Sequence, residues 1–349
     1  MIDFRYHLVS LISVFLALAV GIVLGAGPLR ESIGNTLTGQ VDQLREEKDA
    51  LRTELDTSKA ATTAAEDYIA AAGPSLVDGT LADRNVAVVA MGTVDDESRQ
   101  AIEDQLTAAG ATVTADVTLT DSWSDTDLRS FRQALVANLT SYLDPQPQSG
   151  TGADTALAEA LIQALTGADA ADPTKVSGDA TTLIKLLTTG DDPLVQLAAD
   201  LSAPADDVLL LTDDIAARTT ASNADKDQVQ ATQDSMAALV RVTAARAAGA
   251  VVAGGPVADD ALISAIVADS ELASAISTVN AAGTIAGQVS VPLALNADAG
   301  GSVGHYGSGD GLTVIPTTTT LAPVDRNPTA DANAADPNAG DAAADGAQG

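Results

Sequence analysis

No cysteine occurs in this chain of 349 residues, which excludes disulfides, thiol catalysis and any cysteine-based metal site. Soft metal ligands are scarce as well, with three methionines and two histidines in all. Met1, Met91 and Met236 lie far apart in sequence, so no tight copper site is visible in the pattern. Aromatic residues make up only 2 %, leaving Val, Leu, Ile and Ala to fill any core. Basic residues are the other shortage: 17 Lys plus Arg stand against 48 Asp plus Glu, a formal charge of −31. That balance argues against nucleic-acid binding, since affinity for a phosphate backbone needs a basic surface. It favours solubility in a salt- or divalent-rich milieu.

Catalytic signatures are missing too. The segment Met91-Gly92-Thr93-Val94-Asp95-Asp96-Glu97 lacks the G-x-G-x-x-G spacing and puts three carboxylates where a phosphate would need amide donors. No Walker-type loop, H-E-x-x-H or G-x-S-x-G occurs either. With no acid/base pair or nucleophile–base arrangement assignable, the chain reads as a non-enzyme without catalytic residues.

What is present begins with a charge-free run from Leu8 to Gly27. At about 1.5 Å of rise per helical residue, twenty such positions cross the roughly 30 Å hydrocarbon core once. Residues 1–28 are therefore expected to form a transmembrane anchor. A cleaved signal peptide is the competing reading, but its apolar core usually spans only about 7–15 residues, and Pro28 sits badly beside a scissile bond. The expected topology puts the N-terminus inside and the acidic bulk outside the cytoplasm, at the cell membrane or envelope, as behind an N-terminal signal-anchor.

Residues 29–72 read as a coiled-coil stalk. Leu37, Val41, Leu44, Lys48, Leu51 and Leu55 follow the alternating spacing of a heptad seam, and only the middle heptads are strong. Homo-oligomerisation or pairing with a membrane-protein partner is expected along that stripe, against the alternative of a solitary amphipathic helix. Gly73 and Pro74 mark its end.

Residues 73–315 read as an extracytoplasmic α/β domain. Apolar runs at 85–91, 111–119, 207–211, 249–253 and 275–280 alternate with helical patterns at 96–109, 225–247, 259–269 and 284–295. The alternation predicts a mostly parallel, Rossmann-like sheet covered on both faces. Helical patterns at 126–143, 154–165, 181–187 and 194–201 predict an inserted helical layer. Trp123, inside the polar DSWSDTD, is expected as a cap or an exposed contact. Residues 316–349, rich in Thr, Ala, Asp, Asn and Pro, are expected to be a disordered acidic tail.

The stretch Gly300 to Gly311, GGSVGHYGSGDG, places six glycines around a titratable and an aromatic side chain. Gly304, His305, Tyr306, Gly307 and Asp310 are its candidate binding residues, and His305 is a weak candidate metal ligand. The alternative is a structural loop that docks His305 and Tyr306 on the domain.

Taken together, the opening Phe4-Arg5-Tyr6-His7-Leu8-Val9-Ser10-Leu11, the FLALAVGIVLGAG run, the stalk and the glycine-rich loop resemble the MctB family of actinobacterial envelope proteins. That family is also called copper transporter or SteB. The resemblance implies a role in copper efflux or homeostasis and, for the SteB name, a membrane-protein partner in envelope assembly and division. It implies no resident cofactor: copper enters as a transported or weakly bound ion.

Overall fold

A computed structural model describes residues 4–92, 94–148, 150–212, 226–255, 262–324 and 326; the side chains of 26–36 and 38 lie outside that description. By its contacts the chain divides into Met1–Asp67 and Tyr68–Gly349.

The first unit is helical from Phe4 onward. Helix α1 runs from Phe4 to Val77 and contributes its last turns to the second unit. Its segment Phe4–Gly25 has a mean hydropathy of 2.7 and is exposed along its length, long and apolar enough to span a bilayer. In the following turns Leu37, Val41, Leu44, Leu51 and Leu55 are all exposed. Ion pairs Arg45–Asp42 (3.2 Å) and Arg52–Asp49 (3.8 Å) flank them. Pairs this exposed add little stability, so the helix gains no fixed structure from them.

The second unit is a mixed α/β domain. Its elements in chain order are β1 Asn85–Ala90, α2 Asp96–Ala108, β2 Thr112–Leu119, α3 Arg129–Leu139, α4 Ala153–Thr166, α5 Gly178–Thr188 and β3 Val195–Leu197. Then come β4 Asp207–Leu211, α6 Lys226–Arg246, β5 Gly249–Ala253, α7 Leu262–Ala268, α8 Ser270–Ala275, β6 Ser277–Val279, α9 Ile285–Ala299 and β7 His305–Tyr306. The sheet has seven strands in the order β3-β2-β1-β4-β5-β6-β7, parallel everywhere except at β3.

Successive strand residues point to opposite faces, and here both faces are apolar. Ala87, Val89, Val208, Leu210, Ala250 and Val252 pack with α3, α4, α5 and α6 in one core, whereas Val86, Val88, Leu209, Leu211, Val251 and Ala253 pack with α2, α9 and the end of α1 in another. Continuous apolar runs are what a parallel strand covered on both sides requires. Gly73 is one place where the sequence must yield: a Cβ there would crowd the Val289 side chain of α9.

Four expectations need correction. Gly73 and Pro74 do not end the first helix, which continues through them to Val77. The 194–201 segment is not helical; it holds the edge strand β3, antiparallel to β2. Its Leu194, Val195, Leu197 and Leu201 fit a helical stripe as well as a strand, and pairing with Leu119 and Val117 decides the matter. Trp123 is neither a cap nor exposed but buried in the first core at 1 % exposure. The boundary expected at residue 315 falls inside packed structure: Pro316 is buried, Leu321 packs on the second core, and Thr319 exchanges hydrogen bonds with the Asn296 side chain (2.7 and 3.0 Å). Residue 325 and residues 327–349 of the expected tail lie outside the described residues, as does the start of the helix expected at 259.

Candidate functional site

The glycine-rich stretch is built into the sheet edge. His305 and Tyr306 form β7 beside β6, with Thr278 opposite His305 and Val279 opposite Tyr306. The segment then folds back so that Gly307 N donates to Thr313 O (2.9 Å) and Thr313 N donates to His305 O (2.9 Å). Asn280 clasps the turn through both ends of its amide, donating to Ser308 O (2.8 Å) and accepting from Ser308 N (2.9 Å).

A Cβ would not fit at three of these glycines; at Gly300 it would meet the Thr319 methyl group. A Cβ at Gly304 would run into the Tyr306 hydroxyl, and one at Gly307 would overlap Asn280 Oδ1. Gly307 also has φ +130°, a conformation that L side chains rarely adopt. Gly307→Val is therefore expected to destabilise the domain by about 2 kcal/mol or more, read from thermal unfolding of the full chain. Wild-type stability in that variant would show that the turn is not held as described.

His305 is half-buried, and both ring nitrogens are engaged. Nε2 lies 3.1 Å from the Ala273 carbonyl, which can only accept, so Nε2 carries the proton and Nδ1 accepts from the Thr278 hydroxyl at 2.9 Å. Burial lowers its pKa, partly opposed by the Ala273 carbonyl, and the ring is neutral at pH 7. No lone pair is left over for a metal in this arrangement. Tyr306, next along the strand, points to the other face, where burial raises the pKa of its phenol. Asp310 is exposed in the turn. The imidazole, phenol and carboxylate are thus close in sequence without converging on one point.

Beneath the strand lies Asp298, whose pKa burial raises. It accepts from the Ser277 hydroxyl (2.6 Å) and from Ala250 N (2.7 Å), while Ser277 Oγ accepts from Gly304 N (3.1 Å). This chain of bonds ties β5, β6, α9 and the loop together. Among the described residues, no group of three or more His, Asp or Glu side chains could hold a metal ion.

The stalk residues are brought onto one surface. Leu44, Lys48, Leu51 and Leu55 line a shallow groove along α1, with Glu47 and Arg52 beside them.

What sequence reasoning missed is a cavity of about 190 Å³ at the carboxyl ends of β1 and β2. Met91, Gly92, Arg99, Thr118, Asp121 and Ser124 line it together with Thr232 and Met236 of α6. Arg99 donates to Asp116 (3.0 Å) and Thr118 (3.2 Å). Ser124 Oγ and Thr232 Oγ1 bond at 3.0 Å. Most of this lining falls between residues 91 and 124; α6 supplies Thr232 and Met236 from across the chain.

Against known families, residues 1–316 match the one described as "Copper transport outer membrane protein, MctB". The chain belongs to the MctB family. Curated relatives named "Copper transporter MctB" occur in Mycobacterium bovis and in two strains of Mycobacterium tuberculosis. Each is 31 % identical over 327 residues, covering 89 % of this chain and 98 % of the relative. The MctB match takes in the apolar helix, the stalk, the whole sheet and the glycine-rich turn, and ends at Pro316. Family membership and the apolar helix together associate the chain with copper and with the membrane or envelope.

Proposed function

We propose that this chain is a single-pass, non-enzymatic envelope protein acting in copper efflux or homeostasis, with its N-terminus inside and its α/β domain on the outer side of the membrane. The observation that carries this reading is the MctB match over 1–316 combined with one bilayer-length helix at Phe4–Gly25. The charge of −31 fits the role, because an acidic surface raises the local concentration of cations.

Among the described residues, the single membrane-length helix encloses no aqueous path, and the strands of two to eight residues, mostly parallel, do not form a membrane barrel. Copper passage therefore requires association. The exposed stripe Leu44, Leu51 and Leu55 is the surface suited to it, pairing with a second copy or a membrane-protein partner as a coiled coil. Leu51→Asp would put a carboxylate in that seam. Crosslinking through the stalk in intact membranes is expected to fall about tenfold, equivalent to about 1.4 kcal/mol of association energy. Unchanged crosslinking would leave α1 as a solitary helix.

The copper role is tested by measuring copper efflux from loaded cells with the gene deleted and then restored. Slower efflux on deletion, recovered on complementation, supports it. Equal efflux in both strains refutes it.

A further inference from the structure

Two of the three methionines, distant in sequence, line a single cavity. Met91 sits where β1 ends, its N–H bonded to Leu211 O (2.8 Å), and Met236 of α6 lines the same cavity; their exposures are 2 % and 5 %. Carboxyl ends of parallel strands are where open α/β sheets take ligands, because the connecting turns diverge there.

We propose that this cavity is a Cu(I) site in which the thioether sulfurs of Met91 and Met236 are the soft ligands. The inference deepens the copper reading above and rests on it. Soft thioethers select Cu(I) over the hard cations that carboxylates prefer. Among the described lining residues Arg99 is the one base; it pairs with Asp116 (3.0 Å), and Asp121 adds a second carboxylate, so the net charge around the cavity does not repel a monovalent cation. The volume, about 190 Å³, exceeds several times the roughly 30 Å³ share of one water, leaving room for an ion and a further oxygen ligand. Ser124 and Thr232 present hydroxyls there. Methionine is also a common filler of irregular cores, and the test must separate the two roles.

The cysteine-free composition makes that separation direct: any sulfur bound to copper in this chain belongs to Met1, Met91 or Met236. The full-length protein in detergent is titrated anaerobically with Cu(I) held reduced by ascorbate, and separately with Ag(I) as a redox-inert surrogate. Wild type is expected to bind one equivalent, with sulfur neighbours in the copper X-ray absorption spectrum. Met91→Leu/Met236→Leu keeps side-chain volume and removes only the sulfurs. It is expected to lose at least about tenfold in affinity while thermal unfolding stays close to wild type, and His305→Ala is expected to bind normally. No stoichiometric binding by wild type, an all-oxygen or nitrogen shell, or undiminished binding by the double variant would overturn the assignment. Where the double variant unfolds, Met91→Leu and Met236→Leu are titrated singly, each expected to weaken binding; two unaffected single variants would likewise overturn it. Site and function fail separately: a chain that restores copper efflux yet binds no Cu(I) at these residues loses the site alone. One that binds Cu(I) there without affecting efflux keeps the site and loses the cellular role.

Discussion

Asp207→Ala is expected to destabilise the α/β domain by about 3–5 kcal/mol at pH 8, because it strands the guanidinium of Arg84 in the interior. Asp207 opens β4 with no exposed surface, and Arg84, itself 8 % exposed, donates to both its oxygens at 2.9 and 3.1 Å. Among the described residues Arg84 Nε has no hydrogen-bond partner, so the carboxylate is the guanidinium's main compensation. Space around the pair is tight: a Cβ on Gly249 would come within 2.7 Å of Asp207 Oδ1. Neighbouring Asp206 takes the N–H of Asn85 (2.8 Å) and pairs with Arg326, which also reaches Asp83 O. Equilibrium denaturation of the full chain measures the loss. A change below about 1 kcal/mol would mean that water reaches Arg84.

The same acid sets a pH dependence. Burial pushes Asp207 up to about 7 although Arg84 pulls the other way. Between the ordinary value of 3.8 and about 7 the folded state holds a proton that the unfolded state has released, so stability falls as pH rises through that window. The slope from this one group is at most about 1.4 kcal/mol per pH unit. Asp298, Asp154 and Glu103, all raised by burial, act in the same direction. His305, lowered by burial, opposes them below its unfolded value of 6.5. Net stability is expected to be higher at pH 6 than at pH 8, and Asp207→Asn to flatten the profile.

Trp123→Ala should cost about 3–5 kcal/mol, the usual range for emptying a large aromatic from a core. Trp123 lies in a short 3-10 turn, Asp121–Trp123, directly after β2, and packs into the core shared by α3, α4 and α6. Being the sole tryptophan, it also reports on itself. Wild-type fluorescence should be blue-shifted and shift to the red on unfolding. Emission typical of a solvated indole in the native chain would contradict the burial.

The strands at 85–90, 207–211 and 249–253 were legible because a strand covered on both faces must be apolar at every position, a pattern local to the run itself. Edge elements carry no such signature. Strand β3 is three residues long and β7 two, too short for a period to emerge, and each exists through its partner strand. Trp123 was misjudged because its neighbours Asp121, Ser122, Ser124 and Asp125 are polar, while its burial is decided by helices remote in sequence. The cavity joining Met91 to Met236 was illegible for the same reason. Within the glycine-rich stretch, the sequence located a special segment but not its purpose: Gly304 and Gly307 are needed by Tyr306 and Asn280, and no such pairing can be read from spacing.

The two ends of the sheet bear on crowding. Chains concentrated in the plane of a membrane meet far more often than chains in free solution, and an open strand edge is a template for joining one sheet to another. Here one edge is only Val195–Leu197, and at the other, His305–Tyr306, Thr313 already takes both the His305 C=O and the N–H of Gly307 just beyond it. Neighbouring domains thus find almost no free backbone to pair with, and dense packing on a surface need not become aggregation.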